Sequence, residues 1–324
     1  MKRLLLAALL LAASFLSAAQ LPSPALLVLN KGANELVIVD PATQKIIGRV
    51  PTGEGPHEIA LSSDGKTAFV GNYGAQTPGS TLSVIDLAAQ KELRRVDLGA
   101  LRRPHGLVEA AGKIYFTVEV NKAVARYDPA TDKIDWLMGT GQDATHMVVV
   151  NKDQSKVYTS NIASNTVTAL ERGQYPGGWH ATQIATGKGP EAIDLSPDGS
   201  ELWTAHSQDG AVSVIDTATN TVKTTIPAET KHSNRLKFTP DGKRVLISDA
   251  EGGEVVILDA QTKKVTNRVK VGNVPLGILI VPDGSRAYIA TTQDDVIVIL
   301  DLNTLQVTGK IPTGKNPDGM AWVK

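Results

Sequence analysis

The chain has no cysteine, only 4 % aromatic residues and no excess of charge of either sign. Each shortage removes a class of explanation. Without cysteine there are no disulfides, no thiolate chemistry and no Cys-x-x-Cys-His attachment for a covalent c-type haem. Lys plus Arg equals Asp plus Glu at 33 each, so no global field draws the chain to nucleic acid or an anionic membrane. The sparse aromatics also offer no stacking platform for single strands, and nucleic acid is not an expected partner. Helical periodicity is missing after the first 20 residues.

Those first residues, MKRLLLAALLLAASFLSAAQ, have a basic start at Lys2 and Arg3, an apolar run from Leu4 to Leu16, and small residues at Ser17 and Ala19. This pattern is a secretory signal peptide over 1–19, cleaved after Ala19. Its apolar run is too short for a membrane span of about 20 residues. No cysteine follows, so a lipid anchor on that residue is excluded. The expected mature chain, 20–324, is a single monomeric domain, periplasmic or secreted, without a membrane span. Loss of Lys2 and Arg3 leaves it 31 basic residues against 33 acidic ones, a formal charge of −2.

What the sequence does have is repetition. A Gly-rich step, an apolar strand, Asp-Gly, a second strand and a third ending in Asp return seven times, as in GEGPHEIALSSDGKTAFVGN and GKGPEAIDLSPDGSELWTAH. The anchor at the head of each unit is Pro56, Pro104, Thr145, Pro190, Ser233, Pro275 or Pro317. Asp64-Gly65, Asp198-Gly199, Asp241-Gly242 and Asp283-Gly284 supply the positive-φ step of a tight hairpin. The aspartates at Asp40, Asp86, Asp128, Asp216, Asp259 and Asp301 accept backbone N–H groups and hold turns. Polar fourth strands such as Val265 to Val271 suit an outer edge.

Four short antiparallel strands repeated seven times specify an all-β, seven-bladed β-propeller. The chain ends on one strand, Asp318 to Val323, and the mature part begins with three, Ala25 to Leu29, Glu35 to Val39 and Lys45 to Val50. Pairing them completes a blade from both termini and closes the ring.

The phrases PDGKRVLISDAEGGEVVILDAQTKKVTNRVKVG and SPDGSELWTAHSQDGAVSVIDTATNTVKTTIP resemble the YVTN-type β-propeller repeat of exported bacterial and archaeal proteins, over essentially the whole mature chain. The resemblance implies a propeller. It leaves function open among surface-layer proteins, DNA-binding propellers, amine-dehydrogenase and haem d1 subunits, and lactone-acting enzymes.

Function therefore rests on residues that break the repeat. The position after the anchor, at one mouth of the channel, reads His57, His105, His146, Glu191, Asn234, Leu276 and Asp318. Three consecutive histidines followed by a carboxylate are a plausible set for zinc or copper, with His57, His105 and His146 as metal ligands. The plain alternative is that each ring bonds a neighbouring loop. Arg102 and Arg103 before His105, and Lys231, His232 and Arg235 around the fifth entry, would hold an anionic ligand if they converge. Arg103, Glu191, Asn234 and Arg235 are accordingly expected to bind ligand. Tyr175, Trp179 and His180, in a lengthened connection, could form a lid or partner contact, or Trp179 could pack over a blade edge. His206 could join the ring only if its loop folds inward.

These residues give an exported binding or scaffold propeller that presents a ligand or metal site at its mouth to a small molecule or protein. No catalytic motif is recognised. The alternatives are a lactone hydrolase or lyase at the same histidines, and a haem d1-type or electron-transfer propeller. For the lactone reading, RPHGLVEAAGKIYFTVEVNKAVARYDPATDKI resembles propeller lyases acting on cyclic lactone antibiotics, and GNYGAQ is similar to propeller lactonases. His105, His146 and Glu191 would then supply the base or hold a polarising metal.

Overall fold

The computed structural model describes residues 23–173 and 178–324. The expected leader 1–19 and Tyr175 lie outside them. The described residues form seven four-stranded antiparallel sheets arranged as a propeller. Each predicted anchor is the first residue of an innermost strand: Pro317–Val323 in blade 1, Pro56–Leu61 in blade 2, Pro104–Ala110 in blade 3, Thr145–Val150 in blade 4, Pro190–Leu195 in blade 5, Ser233–Phe238 in blade 6 and Pro275–Ile280 in blade 7.

The closure expected from the termini is present. Strand Pro317–Val323 pairs antiparallel with Ala25–Asn30, Ala25 opposite Val323 and Leu26 opposite Trp322, so blade 1 joins both ends of the chain. Asp-Gly turns carry their glycines at φ between 68° and 74°, where a side chain would be strained. The aspartates at the ends of third strands each accept backbone N–H groups two or three residues on, as Asp301 does from Asn303 and Thr304.

The core lies between blades. Leu27, Leu29 and Ile38 of blade 1 pack against Ile59, Val70 and Ile85 of blade 2, each such side chain contributing roughly 1.5–3 kcal/mol on burial. Around the channel the inner strands come close enough to need glycine. A Cβ on Gly277 would lie 2.1 Å from the Asp318 carbonyl oxygen, and one on Gly319 2.2 Å from that of His57. This close approach brings the residues after the anchors together at one mouth.

The lengthened loop is placed differently from the sequence expectation. It joins the third and fourth strands of blade 4, Thr166–Arg172 and Trp179–Ala185, with Arg172 opposite Trp179. In an antiparallel meander that hairpin lies at the end opposite the histidine mouth. Trp179 packs on Trp136 of blade 3, ring centroids 5.0 Å apart, under the Arg172 guanidinium. His180 is an exposed strand residue beside Glu171. The pair of them cannot cover the mouth.

Candidate metal centre at the channel mouth

The three histidines are brought into one group. His57 and His105 have ring centroids 5.1 Å apart, and the His105 and His146 rings lie at 3.8 Å, tilted by 32°. His57 is committed to the chain, its Nδ1 donating to the Gly55 carbonyl at 2.7 Å. His146 donates from Nδ1 to Glu119 Oε1 at 2.6 Å. His105 is buried, and its Nδ1 has no hydrogen-bond partner among the described residues. Ligand atoms of His105, Glu119 and His146 lie within 4.8 Å of one another, a spread that one ion at about 2.0–2.2 Å from each could gather with small side-chain movements. His57 stands outside that trio.

Glu119 is the residue that sequence reasoning missed. It opens a 3-10 turn, Glu119–Asn121, directly after the second strand of blade 3. The residue facing each anchor is Asn30, Asn72, Val118, Asn161, His206, Asp249 or Thr291. The next one along is Lys31, Tyr73, Glu119, Ile162, Ser207, Ala250 or Thr292. Counting that second position round the repeat would have found Glu119 and Tyr73, since both positions meet at the mouth. Tyr73 packs against His57 and His105 at 4.5 and 5.3 Å, and its hydroxyl donates to Glu119 Oε2 at 2.5 Å.

The same register explains His206. It occupies the place of Asn72 and Asn161, which tie their blades to Ser83 and Thr168. The His206 Nε2 bonds Ser213 at 3.0 Å and its Nδ1 bonds Asp209 at 2.8 Å. It fastens its own blade and does not join the ring.

Burial governs the electrostatics. It pushes His57 down to about 4 and His105 well below the usual imidazole range, the neighbouring histidines adding to the shift of His105. Both are neutral near pH 7, as metal ligands must be. Burial alone would raise Glu119, but the hydrogen bond and charge of His146 and the bond from Tyr73 outweigh it and hold its carboxyl below the usual range. Burial first, and then Glu119, pushes the Tyr73 hydroxyl up to about 12.

The expected ligand-binding residues divide. Glu191 is buried and bonded by Asn234 Nδ2 at 2.6 Å, with His232 Nε2 at 3.5 Å. Asn234 Oδ1 is buried without a partner among the described residues. Arg235 crosses the channel from blade 6 to bind Glu58 of blade 2, with Asp318 of blade 1 at 3.5 Å. It lines a cavity of about 260 Å³ together with Glu58, Asp194 and Lys237. Arg103 lies at the other side of the mouth, over the Tyr73 ring. Arg102 turns back onto the Leu101 and Gly99 carbonyls of its own loop. The two basic groups therefore do not form one cradle, because Arg235 is taken up by carboxylates.

The sequence matches the model of the cytochrome D1 heme domain over residues 84–283, more than half of the chain. The chain belongs to the cytochrome D1 heme domain family. The matched stretch of this family domain holds His105, Glu119, His146, Glu191 and Arg235, and leaves His57, Tyr73 and Asp318 outside it. No curated protein matches the sequence.

Solved structures similar to this family member share its fold at low identity. Hydrazine synthase from Kuenenia stuttgartiensis is 22% identical, TM-score 0.70, over 82% of this chain and 88% of that one. A putative 6-phosphogluconolactonase from Bacteroides fragilis NCTC 9343 is 17% identical, TM-score 0.76, over 93% and 98%. Dihydro-heme d1 dehydrogenase NirN, solved with DHE, is 16% identical, TM-score 0.64, over 92% and 74%. Among the described residues no helix is long and apolar enough to cross a membrane.

Proposed function

We propose that this protein is an exported propeller that binds a divalent ion, zinc or copper, on His105, Glu119 and His146, and presents it at the channel mouth to a small molecule or protein. The buried Nδ1 of His105, without a partner among the described residues and beside the Glu119–His146 pair, carries this reading. An unsatisfied buried polar atom costs roughly 1–3 kcal/mol, and an ion would recover that cost. Three protein ligands leave a position open for an exchangeable partner. Export rests on the leader over 1–19.

The family name implies haem d1, and the residues present do not fit it. The His105 and His146 rings, tilted by 32° with centroids 3.8 Å apart, leave no slot between them for a flat macrocycle. Below them Arg235, bound to Glu58, crosses the channel, and the cavity it lines is about 260 Å³. That is smaller than the roughly 300–1,000 Å³ of sites that enclose drug-sized ligands.

The test is metal analysis of protein prepared without a His tag and incubated with zinc or copper, beside a His105→Ala/His146→Ala variant. About one bound equivalent in the wild type, lost in the variant, is expected. No bound metal in the wild type, or equal metal in both, would refute the site.

A second reading is lactone hydrolysis or lyase chemistry at the same residues. It is favoured by the Glu119–His146 hydrogen bond, since a carboxylate-oriented imidazole suits a general base. Turnover of a lactone that His146→Ala abolishes would establish it in place of simple binding.

A further inference from the structure

We propose that the ion at the mouth is held together with a small anion, a carboxylate or phosphate, whose charge is received by Arg103. This rests on the metal reading and names the class of its exchangeable partner.

Arg103 precedes the anchor of blade 3, and its backbone is pinned on both sides. Its N–H donates to Gly79 O at 2.8 Å, and its carbonyl accepts from the Glu119 N–H at 3.2 Å. The guanidinium lies 4.8 Å from the Tyr73 ring centroid, and its Nη1 donates to the Tyr73 hydroxyl at 2.9 Å. That hydroxyl in turn donates to Glu119. Arg103 is thus two hydrogen bonds from a metal-ligating carboxylate, on a rigid path.

Its charge is uncompensated. Among the described residues Arg103 makes no ion pair, and its Nη2 has only a long contact to the Ala75 carbonyl, at 3.4 Å. Other cations that reach into this mouth are answered: Lys31 by Asp318 at 2.9 Å, Arg235 by Glu58 and Asp318, His232 by Glu191. A divalent ion with Glu119 as its one acidic ligand carries a residual positive charge, and Arg103 adds another. A dianion placed between them balances both, a monoanion one of the two, and the planar guanidinium matches the paired oxygens of carboxylate and phosphate. The half-buried setting, backed by Tyr73, makes such a contact worth more than one in open water.

The experiment uses the mature chain loaded with zinc, titrated calorimetrically with malonate and with inorganic phosphate, beside Arg103→Leu and Arg103→Lys variants. Zinc content is measured on every sample. Binding of at least one anion is expected, weakened tenfold or more by Arg103→Leu and less by Arg103→Lys, with zinc content unchanged. The anion that responds identifies the class. Zinc-loaded wild type that binds neither anion, or an Arg103→Leu variant that binds as tightly, overturns the proposal and leaves the metal site standing. Wild type that takes up no zinc overturns both.

Discussion

His146 of blade 4 donates its Nδ1 proton to Glu119 of blade 3 at 2.6 Å, across the boundary between two blades. Neither residue could be oriented by its own blade alone. The bond joins the first residue past an anchor to the first residue past a second strand, the two positions that the propeller brings together at its mouth.

Glu119→Gln keeps the shape of that contact and removes the charge. Metal affinity is expected to fall at least about tenfold, since both the ligand and the partner that fixes His146 are altered. Competition against a chelating dye measures it. Tyr73→Phe, which removes one bond to Glu119, should cost less than Glu119→Gln does. Equal affinity in Glu119→Gln and wild type would place the ion elsewhere.

Arg235→Met leaves Glu58 and Asp318 facing each other in the channel without their guanidinium. Removing one partner of a buried ion pair costs about 3–5 kcal/mol, so the urea midpoint should drop steeply. The double variant Arg235→Met/Glu58→Gln should recover part of the loss, because the stranded charge goes too. A double variant less stable than the single one would contradict this account.

His206→Ala should cost about 1–3 kcal/mol by stranding the buried Ser213 hydroxyl, whereas His206→Asn, which restores the residue found at Asn72 and Asn161, should cost clearly less. Metal content should not change in either. A loss of metal in His206→Ala with the fold intact would bring His206 into the site after all.

Glu191 and His232 give the metal-free protein a stability window. The hydrogen bond that His232 donates to Glu191, ahead of the opposing effect of burial, raises His232 above its usual value; burial would raise Glu191, but His232 and the charge of His146 outweigh it and lower its carboxyl. A raised histidine stabilises below its unfolded value of about 6.5 and loses that contribution as pH rises through the folded one. A lowered carboxylate stabilises above about 4.5 and loses it as pH falls through the folded one. The pair therefore contributes most at mildly acidic pH. Comparing urea midpoints of wild type and Glu191→Gln between pH 4 and 9 checks it: the difference should be largest near pH 5–6 and shrink on both sides.

Much of the fold was legible in the sequence because strand and turn signals are local. Pro56, Pro104 and the other anchors, the Asp-Gly hairpins and the capping aspartates act through neighbours a few residues away, and seven copies reinforce each signal. The grouping of His57, His105 and His146 was also legible, since equivalent positions in successive blades must lie side by side. The pairing of Glu119 with His146 was not, because Glu119 follows a second strand rather than an anchor, and only the propeller brings the two positions together. Nor was the separation of Arg103 from Arg235, which depends on Glu58 and Asp318 reaching the channel on strands near opposite ends of the chain.

By itself the sequence determined that the chain closes into seven blades, which residue heads each one, and which side chain follows each of those heads, because period and turn chemistry are written locally. Only the tertiary structure decided which of those side chains meet. It committed His57 to a carbonyl, His206 to its own blade and Arg235 to two carboxylates, and left His105 with an unused nitrogen beside Glu119 and His146. Whether a polar group is satisfied is settled by neighbours brought from elsewhere in the chain.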